Sequence, residues 1–172
     1  MTATVAGVLL AGGRAKRMGG GDKGLRTLGG RTIMDYIVER VRPQVAVLLI
    51  NANGDPGRFS GYGLPVIADV ISDESGGFAG PLAGVLTGME WAAANQPQCS
   101  WVATFACDAP FAPSDLVARF VAAVEEEGAA MACAASRGRA HPVFGLWPVA
   151  LAAELRQAMS EEDIRKIDRW TA

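Results

Sequence analysis

Short continuous apolar runs alternate along the chain with stretches of helical periodicity. Val5 to Leu10 is an apolar run of strand length, and the glycines and basic residues after it can continue neither strand nor helix. Thr32 is placed to cap a helix on which Ile33, Tyr36, Ile37 and Val41 recur at helical spacing until Pro43 stops the pattern. Val45 to Ile50 is apolar, β-branched and continuous, as in a parallel strand buried on both faces, and it ends in Asn51-Ala52-Asn53-Gly54. A second short strand, Pro65 to Ala68, ends at Asp69, and a loop follows at Gly76 to Gly80. Pro81 then stands at a first helical position before Leu82, Val85, Leu86, Met89 and Ala93. Trp101 to Ala106 predicts another strand, ending in Cys107-Asp108-Ala109-Pro110-Phe111. Ser114 is expected to cap a helix through Leu116, Val117, Phe120, Val121 and Val124. Met131 to Ala134 and Val143 to Trp147 are weaker strands, and Val149 to Met159 is a last amphipathic helix.

Strands alternating with helices require crossover connections, so the expected fold class is α/β, an open mostly parallel sheet with helices on both faces. Ligands bind such sheets beyond the carboxyl ends of the strands, where strand order reverses. Leu10-Ala11, Asn51, Asp69 and Asp108 all stand at predicted strand carboxyl ends, so four separate blocks converge on one sheet edge.

Composition narrows the class. With 172 residues, 50% apolar and 20% charged, the chain is read as one domain, residues 1–172, that folds without disulfides or metals. No apolar run approaches membrane-spanning length, no secretory signal is visible, and the reading is cytoplasmic. Cys99, Cys107 and Cys133 lack any C-x-x-C spacing, which argues against a disulfide frame or zinc cluster. A net charge of −2 excludes the general basic excess of a nucleic-acid binder. Charge is instead local: Arg14, Lys16, Arg17, Lys23, Arg26 and Arg31 fall in one segment whose only acid is Asp22. A glycine-rich loop leaving a strand exposes backbone N–H groups to an anion, and these cations add formal charge, so the expected guest is a polyphosphate. The loop is neither of the generic phosphate motifs. Lys23 precedes glycine where a P-loop needs serine or threonine, and the G-x-G-x-x-G at Gly19, Gly21 and Gly24 starts too far from its strand.

A bound polyphosphate calls for charge neutralisation, commonly by a divalent ion held by one or two carboxylates. Asp108 presents a carboxylate from a turn between an apolar strand and Ala109-Pro110-Phe111, although the same residue serves equally as a turn former before Pro110. Asn51 and Asp69 have the groups to hydrogen-bond a base or ribose, and spacing alone equally suits an Asn turn and a loop cap. Gly80-Pro81-Leu82-Ala83-Gly84 opens a helix whose free N–H groups are able to face an anion, and equally Gly84 suits close helix packing. His141 is the single histidine, which excludes a multi-histidine metal site and leaves it a structural or substrate-side role. Cys107 has no histidine partner nearby in sequence and is not read as a nucleophile.

The string Leu10-Ala11-Gly12-Gly13-Arg14-Ala15-Lys16-Arg17-Met18-Gly19-Gly20-Gly21-Asp22-Lys23-Gly24-Leu25 resembles the signature of the molybdenum cofactor guanylyltransferases. Asn51-Ala52-Asn53, Val66-Ile67-Ala68-Asp69, Gly80 to Gly84, Cys107 to Phe111 and His141 to Trp147 are similar to that family's further motifs, in the family's order. The resemblance implies a Rossmann-like nucleotidyltransferase sandwich that transfers GMP from GTP to molybdopterin with Mg²⁺ and releases pyrophosphate. It implies a nucleotide site from Leu10, Ala11 and Gly12, with Lys23 on the triphosphate, Asn51 and Asp69 on the nucleoside, and Asp108 on Mg²⁺. Arg17 is added to the catalytic set from its charge alone. A cytidylyl- or sugar-nucleotidyltransferase and a non-catalytic GTP or cofactor carrier are the alternatives. Implied partners are the substrates GTP and molybdopterin, with transient contact to proteins of cofactor biosynthesis or molybdoenzyme maturation, and neither nucleic acid nor membrane. Family members usually continue past Trp170 into a further strand and an Asn-x-Asn-Thr-Pro segment, which the 172 residues do not contain; if these residues are all that is present, GTP is expected to bind at ordinary strength and molybdopterin weakly.

Overall fold

A computed structural model describes residues 3–12, 22–72 and 79–171. Arg14, Lys16 and Arg17 lie outside the described residues, as do positions 76–78 of the loop read at Gly76 to Gly80. The strands are β1 (Val5–Leu10), β2 (Thr27–Leu28), β3 (Arg31–Thr32), β4 (Val47–Asn51), β5 (Val66–Ile67), β6 (Trp101–Ala106), β7 (Ala132–Ser136) and β8 (Arg139–Pro148). The helices are α1 (Ile33–Val41), α2 (Pro81–Asn95), α3 (Leu116–Glu127), α4 (Ala152–Glu161) and α5 (Ile167–Trp170).

Six strands form one sheet in the order β5-β4-β1-β6-β8-β7. β5, β4, β1 and β6 run parallel, so Leu10, Asn51, Ile67 and Ala106 end at the same edge. The chain moves from β1 to one side through β4 and β5 and returns to the other side of β1 with β6. That reversal at β1 creates the crevice expected at a switch point. β1 is buried along nearly its whole length because it feeds two layers. Val5 and Leu9 pack with Met34 and Ile37 of α1, Phe59, and Leu116 and Phe120 of α3, while Ala6 and Val8 pack with α2, Met159 of α4 and Ile167 of α5.

The last two strands depart from the parallel pattern. β8 pairs antiparallel with both β6 and β7. Arg137 and Gly138, at φ 50° and 75°, turn the chain between β7 and β8, and two consecutive positive φ values are what a two-residue hairpin demands. The start of α3 is a correction as well. It begins at Leu116, and the residue before it, Asp115, makes no side-chain cap. Gln44 Oε1, from the turn after α1, instead accepts from the Val117 N–H at 2.9 Å. A residue 73 positions away thus does what Ser114 was expected to do. At α1 the expected cap is present: Thr32 accepts from the Asp35 N–H, and the Asp35 carboxylate accepts from the Thr32 N–H.

Helix α2 is apolar on all sides, and its first nine residues bury eight, from Leu82 to Met89. Two glycines let it approach the sheet. A Cβ on Gly84 would strike Asn51 Oδ1 and lie 2.6 Å from Leu10 Cδ2, and one on Gly88 would lie 2.5 Å from Val8 Cγ2. Close packing is therefore the reading of Gly84 that the geometry supports. At the other end, Glu90 of α2 takes both Nε and Nη2 of Arg156, at 2.5 and 2.6 Å, and ties α4 to it.

Alanine in a helix interior gains about 1 kcal/mol over glycine in propensity, but overpacking costs about 1–3 kcal/mol. Gly84→Ala should accordingly lower the melting temperature by several degrees. Gly61→Ala, at a glycine where an added methyl meets nothing within 4 Å, should leave it unchanged. Differential scanning calorimetry of the two variants checks the difference.

Candidate active site

A cleft of about 190 Å³ opens at the carboxyl edge of the parallel strands. It is lined by Leu10 and Gly12 after β1, Lys23, Asn51 at the end of β4, Pro81 at the start of α2, Ala106, Cys107 and Asp108 after β6, and Val143 of β8. Of the residues singled out in the sequence, Leu10, Gly12, Lys23, Asn51 and Asp108 thus share one cavity.

Lys23 opens a single 3-10 turn, Lys23–Leu25. Gly24 is buried in that turn, and a Cβ there would meet the Cys107 carbonyl at 3.2 Å, Cys107 Cβ at 3.3 Å and Met34 Cε at 3.1 Å. The missing side chain lets the turn lie directly on the segment that carries Asp108. Lys23 Nζ and Asp108 Oδ2 stand 3.5 Å apart, 42% and 40% exposed. A pair so open to water contributes little to stability. Its significance is placement, a cation and an anion side by side at the mouth of an apolar cleft.

Asn51 is 2% exposed. Its amide donates to the Ile67 carbonyl at 3.2 Å and to Asp69 Oδ1 at 2.9 Å, and since both partners only accept, the carboxamide has one orientation. Asp69 does not line the cleft. Its other oxygen accepts from Asn53 Nδ2 at 2.8 Å, and its N–H donates to Asn53 Oδ1 at 2.8 Å, so its carboxylate organises the two asparagines after β4. The next residue, Val70, donates its N–H to Thr87 of α2. Ala11 is buried at 3%, and its N–H donates to the Asn51 carbonyl at 2.9 Å, which makes it a strut between β1 and β4. Arg17 lies outside the described residues. His141 is bonded through Nε2 to Ser136 Oγ at 2.7 Å on the β7–β8 hairpin.

Arg58 was not singled out by sequence reasoning, yet it bonds to Asp22 beside Lys23 at 2.6 Å. The local signal was a turn, Asp55-Pro56-Gly57, with nothing to mark the arginine as reaching 36 positions back. Pro81 and Val143, from the blocks Gly80 to Gly84 and His141 to Trp147, complete the wall through α2 and β8.

Among the described residues no three His, Cys, Asp or Glu side chains gather to hold a metal. One carboxylate at a cleft mouth nonetheless fits Mg²⁺, which keeps several waters and takes one or two carboxylates together with substrate phosphates. A larger hollow of about 520 Å³ lies at α1, lined by Arg31, Asp35, Glu39 and Tyr62 among others. Several of its polar groups are engaged with neighbours: Arg31 with Glu39, Asp35 in the helix cap, Tyr62 with Thr32. We assign no chemistry to it.

A family model described as a MobA-like NTP transferase domain matches residues 7–172. A molybdenum cofactor guanylyltransferase of Nitrobacter hamburgensis is 54% identical over 166 residues, 96% of this chain and 78% of that protein. The chain belongs to the molybdenum cofactor guanylyltransferase family. A second member, from Rhodopseudomonas palustris, is 53% identical over 96% of this chain and 77% of its own length. The crystal structure of molybdopterin-guanine dinucleotide biosynthesis protein A from Archaeoglobus fulgidus superposes with a TM-score of 0.71 at 20% identity, over 96% of this chain and 77% of that one, which establishes the nucleotidyltransferase fold. The family's sandwich is thus the architecture seen here, and the chain is a nucleotidyltransferase. No helix among the described residues is long and apolar enough to cross a membrane.

Cys107 lines the cleft as an inert thiol. Burial, and then the Asp108 carboxylate, push its pKa up to about 12. Its folded pKa lies above the ordinary thiol value of about 8.5, so its contribution to stability is complete below that value and is lost as pH rises toward 12. At pH 8, iodoacetamide should label exposed Cys133 and spare Cys107 and Cys99 in the folded protein, with all three reacting in urea. Mass spectrometry of the peptides reads the difference.

Proposed function

We propose that this chain transfers GMP from Mg·GTP to a phosphate of molybdopterin, releasing pyrophosphate and forming the guanine dinucleotide form of the cofactor. The observation that carries the reading is the convergence of Leu10, Gly12, Lys23, Asn51 and Asp108, from three separate sequence blocks, on one cleft. High identity to members named for guanylyl transfer supports GTP over other nucleotides. Residues 1–172 act in this reading as one nucleotidyltransferase domain.

An acceptor phosphate oxygen bonds to the α-phosphorus of GTP as the bond from that phosphorus to the β-phosphate bridge breaks, and pyrophosphate leaves with the electron pair. No covalent enzyme intermediate is needed. Lys23 is placed to neutralise triphosphate charge, with Arg17 as a second cation. The cleft formed by Leu10, Gly12 and Pro81 holds the nucleotide away from water. Asn51, locked by Ile67 and Asp69, gives the nucleoside end a rigid wall, so catalysis is mainly positioning and electrostatics. Asp108 would hold the divalent ion, which when bound supplies charge neutralisation to phosphate oxygens. Asp108 Oδ2 lies 3.5 Å from Lys23 Nζ.

The test is pyrophosphate release with GTP, ATP and CTP, each with molybdopterin. Guanine offers an O6 acceptor with N1–H and N2 donors, and each buried partner left unpaired by adenine costs about 1–3 kcal/mol, so GTP should be favoured at least about tenfold. Release with CTP alone would assign the chain to cytidylyl transfer, and tight GTP binding without release would make it a carrier.

Asp108→Asn keeps the shape and removes the charge. Turnover should fall at least about a hundredfold, consistent with loss of several kcal/mol of charge stabilisation, while metal-free GTP binding changes little. Normal turnover of the variant at low Mg²⁺ would remove Asp108 from the metal role.

A further inference from the structure

We infer that Arg58 is a positioning residue for nucleotide binding, acting through Asp22 to set the place of Lys23; the inference rests on the nucleotidyl-transfer reading of the cleft. Arg58 sits in the 3-10 segment Pro56–Tyr62, which Asp55 caps by accepting from the Gly57 N–H. Its guanidinium lies over the ring of Phe59, 4.5 Å from the centroid, and Phe59 is fully buried. The fork is therefore held in place before it meets any partner.

Three acceptors converge on it from two segments. Nε donates to Asp22 Oδ2 at 2.6 Å, Nη2 donates to the Asn53 carbonyl at 2.8 Å, and Nη1 donates to the Asp55 carbonyl. Asp22 is the residue before Lys23 and begins its turn, its carbonyl accepting from the Leu25 N–H at 3.2 Å. Its carboxylate makes no cap on that turn and is directed to Arg58 instead. Asn53, on the other side of Arg58, is the residue that grips Asp69, and Asp69 grips Asn51. The contacts run without a break from Asn51 in the cleft wall through Asp69, Asn53, Arg58 and Asp22 to Lys23 at the cleft mouth. The Arg58 and Asp22 side chains are 25% and 22% exposed, so water screens this pair less than the Lys23–Asp108 pair.

Only arginine serves here. A lysine ammonium is a point charge on a flexible stem and cannot hold three acceptors in the fixed directions of a planar fork. Without the fork, Asp22 loses its tether and Lys23 is no longer presented at a fixed distance from the cleft. Arg58 itself touches no substrate in this account, so its whole effect on nucleotide affinity passes through Lys23.

A double-mutant cycle tests this, with Mg·GTP binding read by isothermal titration calorimetry. Arg58→Ala in the parent should weaken binding about tenfold, the scale of losing one charge-assisted contact. The same change made on Lys23→Ala should cost less than about twofold, since the residue it positions is gone. A purely structural role predicts equal losses in both backgrounds, and that result would overturn the proposal. Should Arg58→Ala fail to fold, Asp22→Asn carries the same cycle with the same two outcomes, because it removes the tethering charge from the opposite side. Titrating the parent with ATP and CTP keeps the two readings separate. A parent that prefers another nucleotide refutes guanylyl transfer, and the cycle run with that nucleotide still decides whether Arg58 acts through Lys23.

Discussion

The close approach of α2 to β1 and β4 is the constraint on which the cleft depends. Gly84 and Gly88 present no side chains to the sheet, so the helix rests against Leu10, Val8 and Asn51. Pressed under Gly84, the Asn51 carboxamide has its oxygen toward the helix and its N–H groups toward Ile67 and Asp69. Pro81, at the head of the same helix, becomes a wall of the cleft. A helix one side-chain layer further away would leave the cleft without that wall.

Local order then spreads outward by hydrogen bonds rather than by burial. Asp69, a residue that the family resemblance assigned to the nucleoside, orders Asn51 and Asn53 after β4, and its neighbour Val70 bonds to Thr87 of α2. On the opposite side of the cleft Gly24 lets the Lys23 turn rest on Cys107, which brings the lysine within 3.5 Å of Asp108. The thiol between them stays neutral because it is buried beside a carboxylate. Opposite charges at the mouth and an apolar, neutral floor suit a ligand whose charge is concentrated at one end, as in a nucleoside triphosphate with its metal.

Much of this arrangement was legible in the chain, because it follows from local periodicity and from topology rules. The run from Trp101 to Ala106, apolar but for Thr104, makes a strand wherever it is placed, and that is the strand observed. Thr32 caps α1 because its partner, Asp35, is three residues away. The alternation of strand and helix required parallel pairing, and parallel pairing required Leu10, Asn51, Ile67 and Ala106 to end on one edge. The α/β class, the cleft's edge and most of the residues that line it were therefore determined by sequence alone.

Tertiary structure decided what depends on residues distant in the chain. Gln44 caps α3 from 73 positions away, and no pattern near Ser114 could announce it. The antiparallel hairpin of β7 and β8 reflects two positive φ values at Arg137 and Gly138, in a turn whose strands were individually weak in apolar content. Asp69 and Ala11 were placed beside the cleft rather than in it, since their polar groups meet Asn53 and Asn51 first. Nothing near Arg58 in the sequence marked it. Folding brought Asp22, Asn53 and Asp55 around it, and a guanidinium is defined by the acceptors that surround its fork, which a linear sequence does not display.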